Sequence, residues 1–171
     1  VASLLAPASP LAGLVAPPAL ASPGVTLREV RGLGLTALHG PPDLLPGLPS
    51  APGCAELPQG TAVWTGPGQW LLLGAAPALG AAHRTDLTGA RCILELAGPR
   101  AREALATLLP IDLHPRAFPD GAAAATQAAH VPVLVWRQGE AFRIACYRSY
   151  GLALAEALIA AGRGRDLALL P

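Results

Sequence analysis

Apolar and polar positions alternate most cleanly in the second half of the chain. In Ala141 to Arg148, Phe142, Ile144 and Cys146 alternate with Arg143, Ala145 and Tyr147, and Val131 to Arg137 lies just before them across Gln138-Gly139-Glu140. A period of two broken at a glycine predicts a β-hairpin. Ile93-Leu94-Glu95-Leu96 reads as a further strand that stops at Gly98-Pro99. Beyond it Ala101, Ala104, Leu105, Leu108 and Leu109 recur at helical spacing, with Pro99 suited to the first helical position and Pro110 as the stop. The predicted helix covers 99 to 109 and buries one face on a sheet. A last helix over 149 to 161, with Ser149 as its cap, carries only Glu156 as a charge; Tyr150, Leu154, Leu158 and Ala161 share one side, and Leu152 and Ile159 lie elsewhere around it. The order strand, helix, loop, strand, strand, helix predicts an α+β fold. Its antiparallel sheet contains at least 91 to 97, 131 to 137 and 141 to 147, with the helices on one face, a ferredoxin-like unit.

The first half is less regular. Val25 to Val30 and Gly34 to Leu38 read as short strands around Gly32, and Ala62 to Thr65 and Gln69 to Leu73 as a hairpin with the three-residue loop Gly66-Pro67-Gly68. Between them Pro41, Pro42, Pro46, Pro49 and Pro52 force a long extended connection over 41 to 58, whose role the sequence leaves open. Residues 1 to 24 read as an extended arm whose Ser9-Pro10-Leu11-Ala12-Gly13-Leu14 patch lies on this chain or on another. Residues 25 to 166 then form a single α+β domain, and 167 to 171 a tail.

Composition sharpens this picture. Only 13% of the 171 residues are charged against 52% apolar, and Gly and Pro number 19 each. An average soluble protein has roughly 25% charged residues, so much of this surface must be apolar. The 12 basic residues, all Arg, balance 11 acidic ones to a net charge of +1, which gives a phosphate backbone nothing to hold; nucleic acid is excluded as a partner. The uncharged runs, residues 1 to 27 and Leu57 to His83, are interrupted by prolines, so neither a signal peptide nor a membrane span is expected, and the chain reads as cytoplasmic. Cys54, Cys92 and Cys146 lack CxxC spacing and read as reduced thiols, two of them in strands.

Several chemistry-bearing residues have plainer structural readings. Gly32-Leu33-Gly34-Leu35-Thr36-Ala37 matches a dinucleotide fingerprint, but Pro41 and Pro42 leave no room for the helix whose N-terminus would hold the phosphates; it reads as a strand bend. His39, His83, His114 and His130 have no partner at metal-ligand spacing. Asp112 and His114 can face one way, like a base with its orienting group, yet no nucleophile stands near, and loop hydrogen bonding accounts for them. Arg137, Arg143 and Arg148 on one hairpin offer either a carboxylate-binding patch or a partner-facing sheet edge. Trp64, Trp70 and Trp136 are candidate anchors, with core packing expected for at least two. No residue is assigned as catalytic, cofactor-binding or metal-binding.

Taken together, Ser9-Pro10-Leu11, the run Trp64 to Leu73, Leu94-Glu95-Leu96-Ala97-Gly98-Pro99-Arg100-Ala101-Arg102, and Asp112 to Pro119 continuing through Gly121, Thr126, His130 and Arg148-Ser149 resemble the gamma subunits of heterotetrameric sarcosine oxidases. The strand-Gly-Pro-helix unit is shared with the wider superfamily of folate-binding aminomethyltransferase domains; the later loop and hairpin are the specific part. The resemblance implies a noncatalytic subunit. It would assemble with an alpha subunit carrying NAD and the folate site, a beta subunit carrying FAD and FMN, and a zinc-binding delta subunit. The complex would demethylate sarcosine to glycine with peroxide release and one-carbon transfer to tetrahydrofolate. Because no phosphate-binding or ligand-spaced motif stands among its own residues, the isolated chain is expected to bind no flavin, NAD or zinc. Two alternatives are the matching subunit of an N-methylglutamate dehydrogenase-type complex and a stand-alone aminomethyltransferase-like protein, the latter weakened by the short chain and by the want of an acidic residue placed for a pterin. Low charge, the arm and the apolar last helix together predict that Leu11 and Leu14, or part of that helix, lie against the alpha or beta subunit.

Overall fold

In the computed structural model, which describes residues 8–14, 23–80 and 83–170, the alternating stretches become eleven strands and two α-helices. In chain order these are β1 (Val25–Glu29), β2 (Leu35–His39), β3 (Cys54–Leu57), β4 (Gly60–Gly66), β5 (Gln69–Gly74), β6 (Arg84–Asp86), β7 (Arg91–Ala97), α1 (Ala101–Ala106), β8 (Ala123–Ala128), β9 (Val131–Gln138), β10 (Ala141–Tyr147), α2 (Gly151–Gly162) and β11 (Leu167–Leu169). The strands form two sheets, ordered β11-β1-β7-β10-β9-β8 and β3-β4-β5-β2-β6. The expected antiparallel set is present as β7, β10 and β9, with Ile144 opposite both Leu94 and Val135. Leaving out β1, the order β11-β7-β10-β9 with a helix after β7 and after β10 is that of a ferredoxin-like unit. β1 is wedged into it, antiparallel to β7 and parallel to β11.

Layering follows from which side chains each pleat presents. On one face of the six-stranded sheet Leu94, Leu96, Val133, Val135, Phe142 and Ile144 pack with Ala104, Leu105, Leu154 and Leu158 of the helices. On the other, Ile93, Trp136 and Ala145 meet Leu35, Val63, Leu71 and Leu73 of the five-stranded sheet. That second sheet has an outer apolar face of its own, with Leu38 and Leu72 fully buried, each worth ~1.5–3 kcal/mol by transfer from water. The proline-rich segment covers it. Leu44, Leu45 and Leu48 pack onto Trp70 and Leu72, and the Trp70 indole donates to the Pro49 carbonyl at 2.7 Å. The open role of 41 to 58 is thereby filled, and its end is not extended connection but β3, an edge strand.

Several boundaries differ from expectation. Helix α1 is shorter than 99 to 109: Pro99 lies in a preceding turn, where the Ala101 amide bonds the Gly98 carbonyl, and the helix tightens at Thr107, whose hydroxyl and amide both bond the Ala104 carbonyl. Ser149 is not a cap. Residues Arg148–Tyr150 form a 3₁₀ turn held by the bond from the Arg148 amide to the Ala90 carbonyl, and α2 begins at Gly151 with no side-chain cap. Gly66 pairs with Gln69, so the first hairpin turns on two residues, Pro67 and Gly68, with an irregularity at Thr65. Residues 167–169 are not a tail but the strand β11. The short strands β6 and β8 were not anticipated. Ile159, placed outside the buried stripe, is 8% exposed and belongs to the core.

Two backbone features generate tests. A Cβ on Gly162 would sit 2.6 Å from the Leu167 Cβ, so this glycine lets α2 fold back onto β11. Gly162→Ala is expected to cost about 1–3 kcal/mol by overpacking, whereas Gly164→Ala, with open space around it, should stay within about 0.5 kcal/mol of the parent in urea titrations. The turn joining β8 to β9 consists of Ala129 and His130, with φ of 47° and 68°, where L side chains are disfavoured. Replacing the pair by Asn-Gly should raise stability by about 1 kcal/mol, read as a higher urea midpoint.

Candidate functional site

Arg91 opens β7 directly opposite Tyr147 at the end of β10. Both lie on the face turned toward the five-stranded sheet, because they share the pleat of Ile93 and Ala145. The Arg91 guanidinium carbon lies 3.9 Å from the Tyr147 ring centroid, a cation–π stack in which the phenol is 51% exposed. Two clefts meet at this arginine. The smaller, of about 390 Å³, is bounded by residues 8–10, the bend after β1 and Arg148. The larger, of about 520 Å³, opens between β8 and β9 on one side and β2 and β5 on the other.

The N-terminal segment borders the smaller cleft and is held by polar bonds. Ser9 Oγ donates to Glu29 Oε2 at 2.5 Å and accepts the Leu11 amide, while the Arg148 guanidinium donates to the Ala8 carbonyl. Leu11 and Leu14, both half-buried, pack on this chain's own core, so the patch at 9–14 does lie on this chain. The other parts of the predicted arm, 1–7 and 15–22, lie outside the described residues.

Of the two readings of Arg137, Arg143 and Arg148, the carboxylate-binding patch does not assemble. Arg143 bonds Glu95 at 2.9 Å, Arg137 donates to the Gly139 carbonyl and pairs with Glu140 at the hairpin turn, and Arg148 is at the far end on the N-terminal segment. Glu95 is instead the hub of a three-strand ladder, held by Arg28 from β1 at 2.7 Å and by Arg143 from β10. Burial alone would raise its carboxyl, but hydrogen bonds and charge from the two guanidinium groups outweigh this and hold it below the ordinary glutamate range. At the turn end of the hairpin, Gln138 of β9 reaches Glu56 of β3 at 2.5 Å and Thr61 also donates to Glu56, tying the sheets together.

The remaining predicted residues serve local structure. Asp112 accepts the His114 amide at 2.8 Å, and His114 Nδ1 accepts the Arg116 amide at 3.3 Å, the loop bonding anticipated for the pair. His83 Nδ1 meets the His39 carbonyl, and His130 sits in the β8–β9 turn. Gly32 and Gly34 form the bend that carries the chain from one sheet to the other. Trp70 and Trp136 are core residues, while Trp64 is half-buried on the outer cluster. All three cysteines, not two, are in strands and all are free. Burial pushes the Cys54 thiol up to about 11, and the hydrogen bond to Cys146, with burial, pushes up the Cys92 thiol opposite it. Among the described residues no group of three or more His, Cys, Asp or Glu is placed to hold a metal ion.

Comparison with known proteins adds the decisive observation. The GCVT N-terminal domain family matches residues 67–170. The sarcosine oxidase subunit gamma of Corynebacterium sp. strain U-96 is 41% identical over 139 residues, covering 68% of each chain. This chain belongs to the sarcosine oxidase gamma-subunit family. A second gamma subunit, from Arthrobacter sp., is 44% identical over 107 residues, an alignment that spans 55% of this chain and about half, 53%, of that relative. Among solved structures, the heterotetrameric sarcosine oxidase from Corynebacterium sp. U-96 in complex with pyrrole 2-carboxylate superposes with a TM-score of 0.73 at 31% identity over 86% of this chain and 88% of its own. The glycine cleavage system aminomethyltransferase T from Bartonella henselae shares the fold alone, with a TM-score of 0.61 at 19% identity over 87% of this chain and 48% of its own. The GCVT match takes in β5 to β11 and both helices, so β1 to β4 lie outside it.

Sequence reasoning missed Arg91 with Tyr147, and Arg28 with Glu95. A lone glutamate in the apolar run Ile93 to Leu96 was a signal for a paired charge, but the partners follow only from strand register. The Glu95 ladder predicts an acid response. Its carboxyl is depressed in the fold, so its contribution is fully present above about pH 4.3, the unfolded value, and is lost as pH falls through the folded value. Glu95→Gln should lower stability by about 2 kcal/mol at pH 7 and flatten the decline below pH 4, as measured by urea unfolding across that range.

Proposed function

We propose that this chain is the noncatalytic gamma subunit of a heterotetrameric sarcosine oxidase, which demethylates sarcosine to glycine with peroxide release and passes the one-carbon unit to tetrahydrofolate. The observation that carries the reading is the match to a chain of the Corynebacterium complex, at a TM-score of 0.73 and 31% identity, across 86% and 88% of the two chains. In this reading FAD, FMN, NAD, tetrahydrofolate and zinc belong to the alpha, beta and delta subunits, and the complex is cytoplasmic. The local bonding supports it: Asp112, His114, Arg137, Arg143 and Arg148 are all engaged in loop, turn or strand contacts, and no acidic side chain lines the larger cleft among the described residues. No described helix is long and apolar enough to cross a membrane.

The outer face of α2 is weaker support than its sequence implied. Its exposed positions are Ala153, Glu156 and Ala160, and Leu152 is half-buried, so the apolar excess of this helix is mostly spent on the core. Tyr147 and Tyr150, 51% and 44% exposed, offer a better anchor for a neighbouring subunit.

Co-expression with the alpha, beta and delta chains, followed by purification through a tag on one of them, tests the reading. The expected result is a complex containing this chain that releases peroxide from sarcosine and keeps its turnover when Asp112 and His114 are both replaced by Ala. Turnover with N-methylglutamate in place of sarcosine would assign the chain to the alternative complex. Absence of this chain from an active, fully flavinated oxidase would refute the subunit assignment.

A further inference from the structure

The larger cleft is more than the gap left where two sheets diverge. Its walls are Leu71, Leu87 and Leu134, and three alanines, Ala37, Ala125 and Ala145, stand where larger side chains would close it. A volume of about 520 Å³ lies within the ~300–1,000 Å³ range of small-molecule sites. Lining it as well is Arg91, which makes no ion pair or side-chain hydrogen bond among the described residues and whose guanidinium carbon lies 3.9 Å from the Tyr147 ring centroid. A guanidinium that no side chain of the fold engages has its N–H fork available, and that fork matches a carboxylate bidentately. The other polar side chains around the cleft, His39, Thr65, Gln69, Thr126 and Gln127, include no carboxylate. A cleft with apolar walls and an arginine among its lining is complementary to one class of ligand.

We propose that this cleft binds a small organic acid with an apolar, preferably aromatic, body, the carboxylate held by Arg91 and the body lying among Ala37, Leu71, Leu134 and Ala145. Every group the site uses belongs to this chain, and Tyr147 is common to the cleft and to the exposed pair offered above as a subunit anchor. It is also distinct from the bonded cluster of Glu56, Thr61 and Gln138 at the turn end of the hairpin, which occupies the opposite end of β9.

Titration calorimetry on the full chain with 4-phenylbutyrate and with its uncharged counterpart 4-phenylbutan-1-ol is the direct test. The expected outcome is saturable binding of the acid at or below about millimolar concentration, and at least about tenfold weaker binding of the alcohol, the factor that loss of one charge-assisted hydrogen bond produces. Arg91→Gln should erase that preference for the acid while leaving the melting temperature within a few degrees of the parent, because the residue is at a strand end. Ala37→Leu, which fills the cleft without touching the charge, should weaken both ligands. Equal affinity of acid and alcohol, an unchanged preference in Arg91→Gln, or no saturable binding of the acid to the parent chain would each overturn the proposal. The last result would leave Arg91 to a carboxylate presented by a neighbouring subunit.

Discussion

Strands β7, β9 and β10 are apolar on both faces, and this is the constraint from which the architecture grows. Leu94, Ile144 and Val135 demand cover on one side; Ile93, Ala145 and Trp136 demand it on the other. Helices α1 and α2 meet the first demand. The second is met by another sheet, which brings its own two faces and therefore passes the problem outward to Leu38, Ala62, Trp70 and Leu72. The proline-rich segment resolves it without adding a further regular layer: a chain that cannot form a helix or donate a full ladder of hydrogen bonds can still lay Leu44, Leu45 and Leu48 against a sheet. The charge count of 13% is the visible cost of so much internal contact.

Polar groups then appear where the layers meet or end. Glu95 sits on the inner face of β7, next to apolar Ile93, and its two arginines neutralise it across three adjacent strands. Gln138 and Glu56 bond between the sheets at the hairpin turn, and Arg91 stands at the other end, where the sheets diverge. The interior thus has a closed polar end and an open one. A closed end is tied by hydrogen bonds to groups of the same chain. The open end carries a cation with an aromatic support, and among the described residues no carboxylate lines the larger cleft there.

The second half of the fold was legible because its signals are local. Alternation in Phe142, Ile144 and Cys146 fixed a strand and its faces, and Gly139 marked its turn. Four kinds of information were not local. The second sheet depends on β2 and β5 pairing across the whole proline-rich segment, which neither strand's own pattern records. β8 has the sequence Ala-Ala-Ala-Thr-Gln-Ala, with no branched run to announce it, and pairs because β9 beside it is strongly strand-forming. Ser149 had the right residue type for a cap, but the Arg148 amide was already committed to Ala90, and the chain turned more tightly than an α-helix begins. At the candidate site, Arg91 and Tyr147 lie more than fifty positions apart, so their stack is a property of register; the Asp112 and His114 bonds, two residues apart, were readable at once.

The parallel pairing of β1 with β11 has a further consequence, for the order of events in folding. Val25 meets Leu167 and Leu27 meets Leu169, so β1, wedged between β7 and β11, finds its outer neighbour only after β2 to β10 and both helices have been synthesised. Until then β1 exposes an edge of unpaired amides and carbonyls, which is an invitation to pair with another chain. Closing so long a loop is slow relative to forming the β9–β10 hairpin. The six-stranded sheet is therefore expected to mature outward from that hairpin and to be completed last at the β11 edge, which makes the nascent chain most open to misassociation where β1 awaits β11.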